Sequence, residues 1–240
     1  MKNIFDVLEE RGFLDAITHQ ELKTHQDQRF HVYIGFDPTA DSLHLGNLVG
    51  IMALAWFHKF GHTPIAIVGG ATGMIGDPSG KSVERNLLDP TTLAGNLIGI
   101  AKSLMQVLHF PELQVLNNYD WFKEMRFLDF LREIGKHFRV SAMLAKDSVK
   151  ARLSTEEGMS FTELSYQLLQ AYDYLYLFDH HGVKLQLGGS DQWGNITAGV
   201  ELIRKMRGKS AYGATFRLLT RSDGKKIWQI RRRCHLVKCR

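Results

Sequence analysis

The run Thr63 to Val68, TPIAIV, shows no polar alternation and ends on two glycines, Gly69 and Gly70. A strand of that pattern is covered on both faces, which points to a parallel sheet with helices on each side. Upstream, Val32, Ile34 and Phe36 alternate with Tyr33 and Gly35, and the strand they imply breaks at Asp37-Pro38. Between the two strands, LGNLVGIMALAWFHKFG reads as an apolar helix starting near Leu45 and stopping at Gly61. Strand, helix, strand is a βαβ unit, so the fold class is α/β.

The stretch Tyr33 to Asn47, YIGFDPTADSLHLGN, sets Asp37, Thr39, Ser42, His44 and the close-approach glycine Gly46 at the carboxyl end of one strand and the start of a helix. Open α/β sheets bind ligands there, because free backbone N–H groups and the helix dipole favour an anion. The later run GGATGMIGDPSGKS closes on Gly80-Lys81-Ser82 like a phosphate loop, but the first glycine of that pattern falls on Ile75, so a P-loop is excluded. What remains is a turn whose glycines let a ligand approach the backbone, with Asp77 its only acidic side chain. Asp77-Pro78 as a plain turn start fits the local sequence equally well.

The formal net charge of +5 suggests nucleic acid until it is located. Residues 227–240, IWQIRRRCHLVKCR, hold five of the 30 Lys and Arg and none of the 25 Asp and Glu, so the body is formally neutral. Both cysteines, Cys234 and Cys239, sit in the same tail, which leaves the body without a disulfide framework or a thiolate zinc site. Composition thus gives no argument for RNA binding, and no metal site is expected. The opening MKNIFDVLEERGFLDAI carries acidic residues in an amphipathic pattern, unlike a secretory signal. No apolar run approaches the ~18 residues of a membrane span. A cytoplasmic location without membrane contact is the expectation.

The first thirty residues read as a helix, through Ile4, Leu8, Phe13 and Leu14, and then a polar connection. Residues 91–110 and 120–146 are helical by spacing, with LQVLNN a strand between them. Leu93, Leu97, Ile100 and Leu104 mark the first helix, and Phe122, Phe127, Phe130 and Leu131 the second. This middle section rotates Lys, Arg and Glu, and reads as packing and subunit interface rather than chemistry. Ser160 to Glu163 fits a capping box at the start of FTELSYQLLQAYDYLYLF. On that helix Tyr166, Gln170 and Asp173 project from one face, either as a ligand-facing row or as an ordinary solvated face. VKLQLGGSDQWGN then repeats strand, glycine pair and helix start, and Asp191 by itself is no more than a first-turn acid.

Five segments, YIGFDPTADSLHLGN, GGATGMIGDPSGK, NNYDW, SFTELSYQLLQAYD and QLGGSDQWGNI, occur in that order. Through them residues 1–226 resemble the catalytic half of bacterial tyrosyl-tRNA synthetase, a class I aminoacyl-tRNA synthetase. The resemblance implies a Rossmann-like parallel sheet with an H-x-G-N signature, His44-Leu45-Gly46-Asn47, and a helical connecting and dimer region at about 91–160. It also implies two steps: the tyrosine carboxylate attacks the α-phosphate of ATP, and the adenylate then acylates tRNA. ATP would enter with Mg2+ as the substrate complex, and no prosthetic group is implied. Positioning and donors aimed at phosphate charge would supply catalysis.

By motif, His44 and Thr39 would stabilise the phosphates, Gly46 would leave room for the adenine, and Asp37 and Asn47 would lie along the nucleotide. Tyr33 and Asp173 would bond the phenolic hydroxyl of tyrosine, while Asp77, Tyr166 and Gln170 would hold its ammonium. Gly189, Asp191 and Gln192 would follow the ribose and acyl phosphate. The implied partners are L-tyrosine, ATP and tRNA(Tyr), in a homodimer. Tryptophanyl enzymes share the signature, but Tyr33 with Asp173 favours a phenol over an indole. From a different class, the alternative is a noncatalytic tyrosine- or RNA-binding relative.

The family's second signature, near K-F-G-K-S, should follow LLTRSDGKK. Lys226 matches its first lysine and is the third expected catalytic residue, but the chain continues IWQIRRRCHLVKCR. Ile227 to Arg233 can be encoded ATT TGG CAA ATC AGA AGA AGG, and without the first A the frame reads Phe-Gly-Lys-Ser-Glu-Glu-Gly. The expectation is a catalytic domain over 1–226, a frameshifted tail at 227–240, and no anticodon-binding or S4-like domain. Such a chain would bind tyrosine, activate it poorly and charge tRNA weakly or not at all.

Overall fold

The computed structural model describes residues 2–24, 28–79, 88–156 and 158–220. Helix α1 (Ile4–Glu10) precedes β1 (Leu14–Ile17) and β2 (His31–Phe36), and α2 (Leu48–Lys59), β3 (Thr63–Val68) and the short α3 (Thr72–Ile75) follow. The middle section holds α4 (Pro90–Val107), β4 (Gln114–Asn117), α5 (Tyr119–Phe122), α6 (Phe127–Glu133), α7 (Val140–Leu144) and α8 (Asp147–Leu153). Then come α9 (Phe161–His181), β5 (Val183–Gly189), α10 (Trp193–Arg207) and β6 (Tyr212–Phe216).

The strands form one sheet in the order β1-β6-β5-β2-β3-β4, parallel except where β1 meets β6. The βαβ unit read from the sequence is β2-α2-β3, paired from His31↔Thr63 to Phe36↔Val68. Val32, Ile34, Phe36, Ala66 and Val68 enter one core with Leu54 and Phe57 of α2. Tyr33, Ile65 and Ile67 enter the other with Ala171, Tyr174 and Leu175 of α9. Both faces of β3 are therefore covered, which is why its sequence lacks alternation and why it is buried from Pro64 onward. Each large aliphatic side chain withdrawn from water contributes about 1.5–3 kcal/mol.

From β2 the chain runs outward to β3 and β4, and later to β5 and β6 on the other side. This switch falls between β2 and β5, and a crevice opens at their carboxyl ends. At the start of α9, Ser160 Oγ accepts the Glu163 N–H at 3.2 Å, as the capping-box spacing predicts. Gly182, at φ 64°, ends the helix. Arg152 of α8 donates to Glu163 at 2.8 Å with both side chains buried, which ties the middle section to α9.

Two expectations differ from this architecture. Helix α1 stops at Glu10, because Gly12 at φ 64° turns the chain and Leu14–Ile17 pairs with β6. Local spacing does not reveal a partner this distant; Asp15 and Thr215, which share a 3.0 Å hydrogen bond, are 200 residues apart. The helix expected over 120–146 is broken into α5, α6, a 3-10 turn at Gly135–His137 and α7. Phe127, Leu128 and Val140 are 64%, 74% and 62% exposed, so apolar spacing in this section does not mark the chain's own core.

Candidate active site

The crevice at the switch point is a cavity of about 610 Å3. Expected residues reach it from five places in the chain: Tyr33 on β2, the turn after β2 (Asp37, Thr39, His44, Gly46 and Asn47), and Asp77 after α3. Tyr166, Gln170 and Asp173 come from α9, and Gly189, Asp191 and Gln192 from the end of β5 and the turn beyond it. Lys226 and the Gly80-Lys81-Ser82 run lie outside the described residues.

Asp173 is buried in the cavity wall. Asn118 Nδ2 donates to its Oδ2 at 3.0 Å, and Trp121 Nε1 donates to its Oδ1 at 2.8 Å. Burial pushes this carboxyl up to about 7, against the pull of the Asn118 and Trp121 donors and with a push from the Asp37 carboxylate. Asn118 is itself fixed: its Oδ1 accepts the Ala71 N–H at 2.7 Å, and its Nδ2 also reaches Thr72 Oγ1 at 2.9 Å. Tyr33 stacks obliquely on Tyr174 with ring centroids 5.3 Å apart. Burial first and the Asp173 charge second raise its phenol well above the usual tyrosine range. A carboxylate and a hydroxyl held together in this way can accept from and donate to one ligand hydroxyl.

Farther along the wall, Asp77 Oδ1 accepts the Ser79 N–H at 2.9 Å, and its Oδ2 accepts Gln192 Nε2 at 2.6 Å. Asp77 therefore both shapes a turn and faces the cavity. Asn195 of α10 donates to Gln170 Oε1 at 3.1 Å and to Ser79 Oγ at 3.2 Å. Tyr166 OH lies 3.4 Å from Asp37 Oδ1. The polar stripe of α9 thus turns toward the cavity and is not a solvated face. Behind Asp77, Lys146 donates to the Gly194 carbonyl at 2.7 Å. Burial lowers its ammonium to about 8, although Asp77 pulls the other way.

The signature turn is held by its own residues and by two helices. The His44 N–H donates to Asn47 Oδ1 at 2.9 Å, and the Asn47 N–H donates to the His44 carbonyl at 2.9 Å. The side-chain carbonyl of Asn47 is thereby engaged in closing the 3-10 turn Leu45–Asn47 that leads into α2. Asn96 of α4 donates to the Pro38 carbonyl at 2.9 Å. A Cβ at Gly99 would stand 1.9 Å from the Asp41 carbonyl oxygen, and one at Gly73 would stand 2.8 Å from Pro38 Cγ. The loop after β2 is wedged between α3 and α4.

Four aspartates, Asp37, Asp77, Asp173 and Asp191, line the cavity, and among the described residues no lysine or arginine does. This wall attracts a cation such as an ammonium and repels a bare polyphosphate. Among the described residues no group of three or more His, Cys, Asp or Glu side chains could hold a metal ion. No described helix is long and apolar enough to cross a membrane.

Sequence reasoning missed Asn118, Trp121, Asn195 and Gln186. Asn118 and Trp121 stand in NNYDW, in a section read as packing. The signal was there in the paired asparagines after a strand, the same strand-end position that marked Asp37 and Gly189.

Residues 25–227 match the profile of the family described as tRNA synthetases class I (W and Y). The tyrosine–tRNA ligase of Protochlamydia amoebophila is 64% identical over 232 residues, covering 95% of this chain and 54% of its own. The chloroplastic/mitochondrial tyrosine–tRNA ligase of Arabidopsis thaliana is 53% identical over 236 residues, covering 94% of this chain and 46% of its own. A C-terminally truncated mitochondrial tyrosyl-tRNA synthetase of Aspergillus nidulans superposes with a TM-score of 0.83 at 30% identity, covering 94% of this chain and 72% of that one. The chain spans about half the length of the curated relatives it matches. With the family profile over most of its length and a relative this similar, the chain belongs to the tyrosyl-tRNA synthetase family of class I aminoacyl-tRNA synthetases.

Proposed function

We propose that this chain binds L-tyrosine and ATP and joins them as tyrosyl adenylate, the first half of tyrosine–tRNA ligation. One observation carries this reading. The buried Tyr33–Asp173 pair and the His44–Asn47 turn line the same cavity, so a phenol site and an anion site share one space. The substrate phenol donates to Asp173 while Tyr33 donates to the phenol oxygen, and phenylalanine would leave the Tyr33 hydroxyl unpaired and Asp173 with only its Asn118 and Trp121 donors; tyrosyl enzymes are themselves the reference case for that effect. Asp77, Tyr166 and Gln170 hold the ammonium.

The tyrosine carboxylate then attacks the α-phosphate. A new oxygen–phosphorus bond forms as the bridge to the β-phosphate breaks, and pyrophosphate leaves. Thr39 and His44 donate to the phosphate oxygens, Gly46 admits the adenine, and Asp37, Asn47, Gly189, Asp191 and Gln192 follow the ribose and the adenylate. No side chain forms a covalent bond to substrate. Because four aspartates line the cavity, this reading relies on Mg2+ carried by ATP and on Lys226 for positive charge.

The exposed Phe127, Leu128, Val140 and Phe161 support a homodimer contact through the middle section. Cytoplasmic action and a role for tRNA(Tyr) complete the reading. The family match ends at residue 227, where the basic tail begins, which supports a catalytic domain over 1–226 and a frameshift beyond it. Genomic codons incompatible with the restored frame would sink the frameshift.

Tyrosine-dependent pyrophosphate exchange tests the function, run on this chain beside a version restored to the Phe-Gly-Lys-Ser frame. Both are expected to bind tyrosine, with exchange about 100-fold or more slower in this chain, the scale of losing one transition-state donor. Equal exchange rates would refute impaired activation, and no tyrosine binding by either would refute the site.

A further inference from the structure

Along α4 the buried side chains are Leu93, Asn96, Ile100 and Leu104, an inner stripe in which one amide stands among three aliphatic residues. Asn96 is 7% exposed, and an amide buried that far costs stability unless it is paired. Its Nδ2 donates to the Pro38 carbonyl at 2.9 Å, across 58 residues of chain. That carbonyl shares a peptide unit with the Thr39 N–H, which donates to the Asp37 carbonyl at 2.9 Å. A peptide unit is planar, so two bonds, one to each polar group, fix how it is turned. The neighbours close in on it: a Cβ at Gly73 would press on the Pro38 ring, and Gly99, one turn beyond Asn96, lets the Asp41 carbonyl approach the helix. Thr39 stands exposed between these two pins and lines the cavity, whereas Asn96 grips the loop from behind the wall.

We infer that Asn96 is a positioning residue for adenylate formation, holding the Pro38–Thr39 peptide so that the Thr39 hydroxyl meets the phosphate. The inference rests on the proposed function and adds to it a residue that touches neither substrate. Without the amide, the Pro38 carbonyl loses its partner and the peptide keeps one bond of two. The phenol end of the cavity is held separately, through the Asn118 and Trp121 donors to Asp173. Asn96 thus acts on the nucleotide side of the reaction and leaves tyrosine capture alone.

Calorimetric titration of the full chain with L-tyrosine and with tyrosyl sulfamoyl adenosine, a stable mimic of the adenylate, tests this. Asn96→Leu keeps the bulk and removes the donor. It is expected to weaken binding of the mimic about tenfold and to leave tyrosine binding unchanged. Thr39→Val is expected to do the same, and adding Asn96→Leu to it is expected to cost nothing further, since both act through one hydroxyl. A merely structural amide would add its loss in either background. Asn96→Ala carries the same expectation if the leucine variant does not fold. Three results overturn the inference: unchanged binding of the mimic in either single variant, an equal loss for both ligands, or a full second loss in the double variant. A wild-type chain that binds the mimic no more tightly than tyrosine overturns the proposed function, and the inference with it.

Discussion

Gln192 Nε2 and Asp77 Oδ2 meet at 2.6 Å across 115 residues of chain, joining two turns on the cavity wall. The hydrogen-bond donors on Asp77, from Ser79, Gln192 and Asn195, are all neutral, and the Lys146 ammonium behind it is hydrogen-bonded to the Gly194 carbonyl, so the carboxylate can face a ligand cation on its cavity side. Asp77→Asn should weaken tyrosine binding by about 10–100-fold, the scale of a hydrogen bond to a charged group. It should leave unchanged the binding of 3-(4-hydroxyphenyl)propionate, which has no ammonium. Titrating both ligands checks this, and an equal loss for both would reduce Asp77 to a turn former.

Burial raises the Asp173 carboxyl from 3.8 to about 7. The folded chain then holds this proton more tightly than the unfolded chain, so stability falls as pH rises from about 4 through 7. Asp173→Asn removes the titration but sets an amide NH2 against one of the Asn118 and Trp121 donors, so what it should change is the pH dependence: the stability the chain loses between pH 4 and pH 8 should shrink by on the order of 1–3 kcal/mol. Urea unfolding at the two pH values measures it. The variant should lose its preference for tyrosine while its stability becomes less dependent on pH.

Asn118→Ala withdraws one donor from Asp173 and one acceptor from the Ala71 N–H. The cost in stability is expected at about 1–3 kcal/mol, from a part-buried N–H left without its partner. The Asp173 carboxyl should titrate at higher pH still, moving the pH midpoint of tyrosine binding upward. Trp121→Phe removes the 2.8 Å indole bond, keeps an aromatic ring beside Tyr176, and should likewise move the midpoint upward. Midpoints that stay put in both variants would show that these donors do not set the carboxylate.

Gly99 touches the Asp41 carbonyl so closely that a Cβ would lie 1.9 Å from it, whereas a Cβ at Gly95 on the same helix meets nothing within 4 Å. Gly99→Ala is expected to cost about 1–3 kcal/mol by overpacking and to shift the loop that carries Thr39. Gly95→Ala should stabilise α4 by about 0.5–1 kcal/mol, since alanine is the better helix former. Thermal unfolding of the pair gives the signs. Equal effects would mean that the loop yields without cost.

Elements with a local signature were legible before the structure. The alternation of β2, the unbroken run of β3 and the capped start of α9 each followed from neighbours in sequence. β1 was not legible, because its partner β6 lies at the far end of the chain, and β6 is fixed by pairing with both β1 and β5. The same distinction divides the site. Spacing put Tyr166, Gln170 and Asp173 on one face of α9, but only its packing decides what that face meets. That packing includes the Tyr174 hydroxyl, which donates to the Tyr212 carbonyl at 2.6 Å. Asn118 and Trp121 matter because β4 pairs with β3 and so brings its carboxyl end to Asp173. No short window of sequence contains that placement.

The antiparallel join between β1 and β6 also sets a timetable for synthesis. Among the described residues β1 pairs in the sheet with β6 alone, and β5 has β6 on one side. The groups that meet across the join are 200 residues apart, as in Asp15 and Thr215, so at about 5–20 residues per second the first strand waits about 10–40 s for its partner. Throughout that wait the backbone groups of β1 are available to other nascent chains, and near its end one edge of β5 is open beside them. A polypeptide released before Phe216 carries two open edges instead of a closed seam.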